Sequence, residues 1–123
     1  MLTRFEQGEL WFTGFHQPIQ ITEMGTSHLL NTVKMLIQKP DIVQSMLIVD
    51  LESGEFSDNV WRATKPEDDR KQSIFNATSL NTEQLIDYVC ESTLFKAMLQ
   101  QLEERGVNVK NIISLILPER DPA

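Results

Sequence analysis

Cysteine is nearly missing from this chain. Cys90 is the single one among 123 residues, which excludes an internal disulfide and fits a reducing compartment. Histidine is almost as scarce. His16 and His28 are far from each other and from Cys90 in sequence, so no pair has the short spacing of a structural zinc site, and no metal is expected. Glycine occurs only as singletons at positions 8, 14, 25, 54 and 106, which leaves no glycine-rich phosphate loop. Positive charge is in short supply, with 11 Lys and Arg against 18 Asp and Glu for a net charge of −7. Phosphate-backbone binding depends on clustered cations. Here they are scattered, with Glu67, Asp68 and Asp69 between Lys65 and Arg70, and no nucleic-acid partner is expected. Long apolar runs are missing too. "MLIV" at 46–49 and "IISLIL" at 112–117 fall far short of the roughly 20 residues that span a bilayer. The opening "MLTRFEQGELWF" offers no apolar stretch of signal-peptide length. The expectation is a cytoplasmic protein with no cofactor and no membrane partner.

What is present suits one folded domain over residues 1–123. Hydrophobic residues make up 41% and charged residues 24%, enough for a modest core. In "ELWFTGFHQPIQIT", Leu10 and Phe12 alternate with polar or exposed positions, as do Ile19 and Ile21. That period of two predicts a hairpin whose core face carries Leu10, Phe12, Ile19 and Ile21, with His16 at the tip. A helix follows, capped by Thr22 or Thr26 and stopped by Pro40. Leu29, Leu30, Val33, Leu36 and Ile37 form its apolar stripe; Met24, His28, Asn31 and Met35 lie nearly opposite, with Thr32, Gln38 and Lys39.

The middle admits two readings. Ile42, Val43, Met46, Leu47 and Leu51 fit a helix with Asp41 as a cap, while 46–61 equally reads as two strands around Ser53-Gly54. The scarcity of β-branched residues before position 48 favours the helix. "RATKPEDDRKQSIFNATSLN" at 62–81, with Pro66 and five charges in succession, reads as the least structured stretch and a mobile loop, with its mobility highest between Lys65 and Lys71. From Asn81 to Gly106 the pattern predicts one long helix, with an Asn81–Gln84 capping box and Gly106 as its left-handed terminator. "NIISLILP" reads either as a strand completing a small sheet, which is favoured, or as a short final helix. The fold class is therefore α+β: a hairpin packed on a first helix, a long C-terminal helix and a short C-terminal strand.

Residues Trp11, Thr13, Ile19, Ile21, Glu23, Met24, His28, Leu29, Asn31 and Leu36 form a pattern. It is a Trp-x-Thr hairpin, then acidic-Met-x-x-x-His-Leu-x-Asn and an apolar helix, and it resembles small uncharacterised proteins of tailed phages and prophages. "LEERGVNV" near the end is similar to that family's closing helix. The turn before Pro18 departs from the family, which usually has Gly where this chain has His16-Gln17, and residues 41–80 match no part of it. The resemblance implies a phage context and no mechanism; phages encode many small proteins that bind and disable host factors or defence systems, which makes such a factor the expected partner.

The residues themselves offer little catalytic chemistry. Ser27 adjoins His28, but neighbouring helical residues point about 100° apart and do not share a proton by adjacency. Cys90 lies between apolar helical neighbours, the setting of an inert thiol. Asp50 and Glu52 share a face only if that segment is a strand; Asp68 and Asp69 lie in the expected loop, where solvation keeps carboxylates at ordinary pKa values. No catalytic residue is assigned and no turnover is expected. His28 has two readings: it bonds hairpin backbone to fix how strand meets helix, which is favoured, or it binds a ligand together with Asn31 and Met35. Aromatic residues and arginine dominate binding hot spots, which singles out Trp61 and Arg62. The functional expectation is a phage accessory protein that acts by stoichiometric binding. The alternative is a small enzyme, or a protein that sequesters a nucleotide-like ligand in a pocket at an oligomer interface. An exposed apolar patch would mark the first, and a deep pocket lined by Arg and aromatics the second.

Overall fold

The computed structural model describes residues 3–12, 18–53 and 67–116. Over these the chain is mostly helical, with one small antiparallel hairpin, an α+β arrangement. A short 3-10 turn, Arg4–Glu6, precedes strands β1 (Leu10–Phe12) and β2 (Pro18–Gln20), and a second turn, Ile21–Glu23, leads into α1 (Thr26–Gln38). Then come α2 (Pro40–Ser53), α3 (Glu67–Thr78), α4 (Thr82–Glu91), α5 (Thr93–Glu104) and α6 (Val109–Ile116).

The hairpin pairs Leu10 with Gln20, Trp11 with Ile19 and Phe12 with Pro18. Residues directly opposite share a face, so Trp11 and Ile19 lie on one side and Leu10 and Phe12 on the other. The core takes the Trp11 side: the indole is 5% exposed, whereas Leu10 and Phe12 are half-buried. On β1 the expected core face was thus displaced by one residue, because the large indole has more apolar area to remove from water than either neighbour, while Ile19 on β2 packs against the core as expected. Ile21 is buried as expected, but from the 3-10 turn rather than from the strand. The turns flanking the hairpin rest on α5, so α5, not the first helix, is the hairpin's main support.

Helix α1 buries Leu29, Val33, Leu36 and Ile37, the expected stripe, with Leu30 half-buried. Thr32 is buried too, on the flank of the stripe, and its hydroxyl donates to the His28 carbonyl at 2.8 Å. The start differs from expectation. Gly25 is the N-cap and no side chain caps the helix. Lys39 ends α1 by donating its N–H to the Met35 carbonyl at 2.9 Å, and its own carbonyl accepts from Val43 at 3.3 Å to begin α2. Pro40 does not merely stop one helix. It opens the next at its first position, where a missing N–H costs nothing, and it holds Lys39 out of the helical region.

The helical reading of 41–51 holds, with Val43, Leu47 and Leu51 buried. Asp41 lies inside the first turn rather than at the cap. The stretch expected to be a loop is instead helical from Glu67 to Thr78, as α3. Helix α3 pairs with α2, and the Gln44 amide donates to the carbonyls of Ala77, Thr78 and Leu80 at 3.2, 2.9 and 3.3 Å, closing the far end of α3.

The expected long C-terminal helix is two. Ser92 adopts extended backbone (φ −71°, ψ 149°), accepts from the Phe95 N–H at 3.2 Å as the N-cap of α5, and donates to the Val89 carbonyl at 2.6 Å. The capping box before α4 forms as expected, with both Asn81–Gln84 bonds at 2.9 Å. At the other end Gly106 has φ 84°. Val107 N–H reaches the Leu102 carbonyl and Gly106 N–H that of Glu103, the paired bonds of a Schellman motif. Asn108 then accepts from Asn111 N–H at 3.2 Å, so "NIISLI" begins as a capped helix, not a strand, and Val109 anchors it in the core.

Candidate functional site

Of the residues singled out for binding, the described ones are His28, Asn31 and Met35. His28 and Asn31 are exposed on α1, and the His28 imidazole makes no hydrogen bond to the described residues. Met35 is half-buried against the core, and Met24 is buried before the helix starts. The expected strip is therefore split between solvent and interior. The role of His28 in fixing strand to helix is filled by Arg105 at the end of α5, which donates to the Thr26 hydroxyl and the Thr22 carbonyl, each at 3.1 Å. Trp61, Arg62 and His16 lie outside the described residues, as do the side chains of Asp68 and Asp69. Cys90 is half-buried against the core.

What the structure brings together is a set of residues of which the sequence reading noted only Asp50. Asp50 lies on the buried stripe of α2, 1% exposed, three residues after Leu47 and one before Leu51. Its carboxylate accepts from Arg4 Nη2 at 2.8 Å and Nε at 3.0 Å, and from the Arg4 backbone N–H at 3.0 Å. Arg4 is itself buried. An acid at a core position of a helix was the available signal; its partner, 46 residues earlier, was not to be found by spacing.

Beside this pair Thr3 caps the first turn. Its N–H donates to Glu6 at 2.6 Å, and its hydroxyl accepts from Phe5 N–H at 3.3 Å and lies 2.9 Å from the Tyr88 phenol. Tyr88 donates in turn to Glu6 at 3.3 Å, and its ring meets Phe5 edge-on at 5.7 Å. Burial pushes the Tyr88 phenol up to about 12; the carboxylates of Glu6 and Asp50 add to the effect and the Thr3 hydroxyl opposes it. These groups are hydrogen-bonded to one another. The cluster ties residues 3–6 to α2 and α4, an anchoring arrangement rather than a reacting one.

Among the described residues, two depressions open to solvent stand out. One, of about 510 Å³, runs between the base of the hairpin and α5, its walls including Glu9, Gln20, Gln100, Gln101 and Glu104. The other, of about 250 Å³, lies at the α4–α5 joint beside Tyr88, Glu6 and Glu91. Among the described residues no group of three or more His, Cys, Asp or Glu is placed to hold a metal ion, and no helix is long and apolar enough to cross a membrane. Among the described residues two large apolar side chains stand out in solvent, Phe75 on α3 at 65% and Val49 on α2 at 45% exposure. No protein-family model, curated protein or solved structure matches this chain.

Proposed function

We propose that this protein acts by stoichiometric binding to another protein, as a phage-encoded accessory factor directed at a host or defence component. The observation that carries the reading is the exposure of Phe75. A ring 65% exposed on a helix whose other side packs on α2 is an apolar anchor held on a rigid support, the kind of residue that supplies binding energy once desolvated. Val49 adds exposed apolar surface on the paired helix. The phage context comes from the resemblance of residues 11–36, and the expected bearers of affinity, Trp61 and Arg62, belong to the segment joining the two helices.

The chemistry of the larger groove weighs against nucleotide sequestration. Its described walls contain neither arginine nor an aromatic ring, and they carry Glu9 and Glu104, which repel a phosphate. A test is affinity capture from the lysate of a bacterial host, followed by measurement of mass and stoichiometry of the reconstituted complex. Wild type should form a saturable complex of fixed ratio, and Phe75→Ser should weaken it about tenfold or more while melting like wild type. A partner held equally by both proteins, or a tightly held nucleotide found by mass spectrometry, would remove this reading.

A further inference from the structure

The groove beneath the hairpin has an amphipathic lining of a particular kind. Its apolar surface comes from Leu10, Ile21 and Ala97, half-buried or buried, and its exposed walls carry the carboxylates of Glu9 and Glu104 and the amides of Gln20 and Gln100. Among the described residues that line it there is no cationic side chain. The nearest in sequence, Arg105, is engaged by the Thr26 hydroxyl and by the carbonyl of Thr22, a residue of the groove's own wall. Among the described residues Glu104 is held by one long 3.5 Å contact from the Gln100 amide, so its oxygens retain acceptor capacity. The wall is built firmly where it matters: a Cβ added at Gly8 would stand 3.3 Å from Ala97 Cβ and Thr93 Cγ2, so the hairpin base sits directly on α5.

Such a lining matches a side chain with an aliphatic stem and a cationic head. The stem covers apolar surface while the head stays at the rim among acceptors. At about 510 Å³ the groove also has room for adjoining backbone. We infer that the groove seats a lysine or arginine side chain presented by an extended segment of the partner protein. This rests on the binding reading above and assigns it a second contact, on the hairpin–α5 side. The net charge of −7 favours such a partner at long range.

The probe is a short, end-blocked alanine-based peptide carrying one lysine, followed by two-dimensional amide NMR on the whole chain. Saturable shifts confined to residues 8–10, 20–22 and 97–104 are expected. Replacing the lysine by Nε-acetyllysine, or the protein by Glu9→Gln/Glu104→Gln, should weaken binding about fivefold or more, the scale of two exposed charge contacts. Both glutamates are exposed, so the double variant should fold. Equal shifts with the acetylated peptide, no shifts at all, or shifts spread as strongly over Glu83, Asp87 and Glu91 would overturn the inference. The two readings fail separately. Phe75→Ser should leave the peptide shifts unchanged, and a captured partner that is lost on Phe75→Ser but held fully by the double glutamine variant would retain the binding reading and remove the groove.

Discussion

At the scale of single residues, Asp50 and Arg4 dominate. Removing one partner of a buried ion pair strands the other charge away from water, at a cost of about 3–5 kcal/mol. Asp50→Ala should therefore lower the unfolding free energy read from urea melts by that much, since it also removes the acceptor of the Arg4 N–H that now bonds Oδ2 at 3.0 Å. Arg4→Met/Asp50→Leu should recover part of the loss and not all, because the backbone donor still lacks an acceptor; full recovery would show that this donor finds water. Tyr88 gives a second residue-scale outcome. Its folded pKa, about 12, lies above the ordinary value of 10.0, so the native state holds the proton more tightly. That contribution to stability is fully present below pH 10 and is lost as pH rises from about 10 to about 12. Tyr88 is the chain's single tyrosine, so ultraviolet titration of the native and urea-unfolded protein reads both pKa values directly. Coincident curves would show that the phenol is solvated in the fold.

At the scale of elements, the joint at Ser92 follows from the phase of the helices it separates. At 100° per residue, an unbroken helix would centre Leu85, Ile86 and Val89 roughly 190° away from Leu94, Phe95, Met98 and Leu102. All seven are buried in the structure. A straight helix would leave one set in water, so the chain breaks at the serine able to cap a new start. Ser92→Ala should cost about 1–2 kcal/mol through the lost cap, with helix content by circular dichroism almost unchanged. A variant as stable as wild type would mean that apolar phase alone maintains the break. The phase mismatch was legible in the sequence, and the expectation of one long helix overlooked it. The same holds for α6, where Asn108 is an N-cap that the apolar run behind it obscured.

At the scale of the molecule, one core joins the hairpin to all six helices of the described residues. It runs from Phe5 and Trp11 through Leu36, Leu47, Leu85 and Leu94 to Val109. Elements that share one core unfold together. Leu36→Ala in α1 and Leu94→Ala in α5, both fully buried, should each cost about 2–5 kcal/mol and shift one common urea transition seen by tryptophan fluorescence and by circular dichroism. Separate transitions would show that the N-terminal part and the α4–α5 pair fold independently. The exposed Phe75, by contrast, should change stability by no more than about 0.5 kcal/mol when replaced by serine, which keeps binding and folding separable.

By itself the sequence determined the local decisions. The stripe of α1, the Asn81–Gln84 box and the left-handed Gly106 depend on residues within a turn or two of one another, where spacing alone fixes geometry. The tertiary structure decided what depends on distant neighbours. It placed Trp11 rather than Leu10 and Phe12 in the core, turned 67–78 into a helix by pairing it with α2, and buried Asp50 because Arg4, 46 residues away, arrives to neutralise it. His28 and Asn31 were left in solvent for the same reason: Arg105, brought across from the end of α5, took the role at the start of α1 that local reading had given to a histidine.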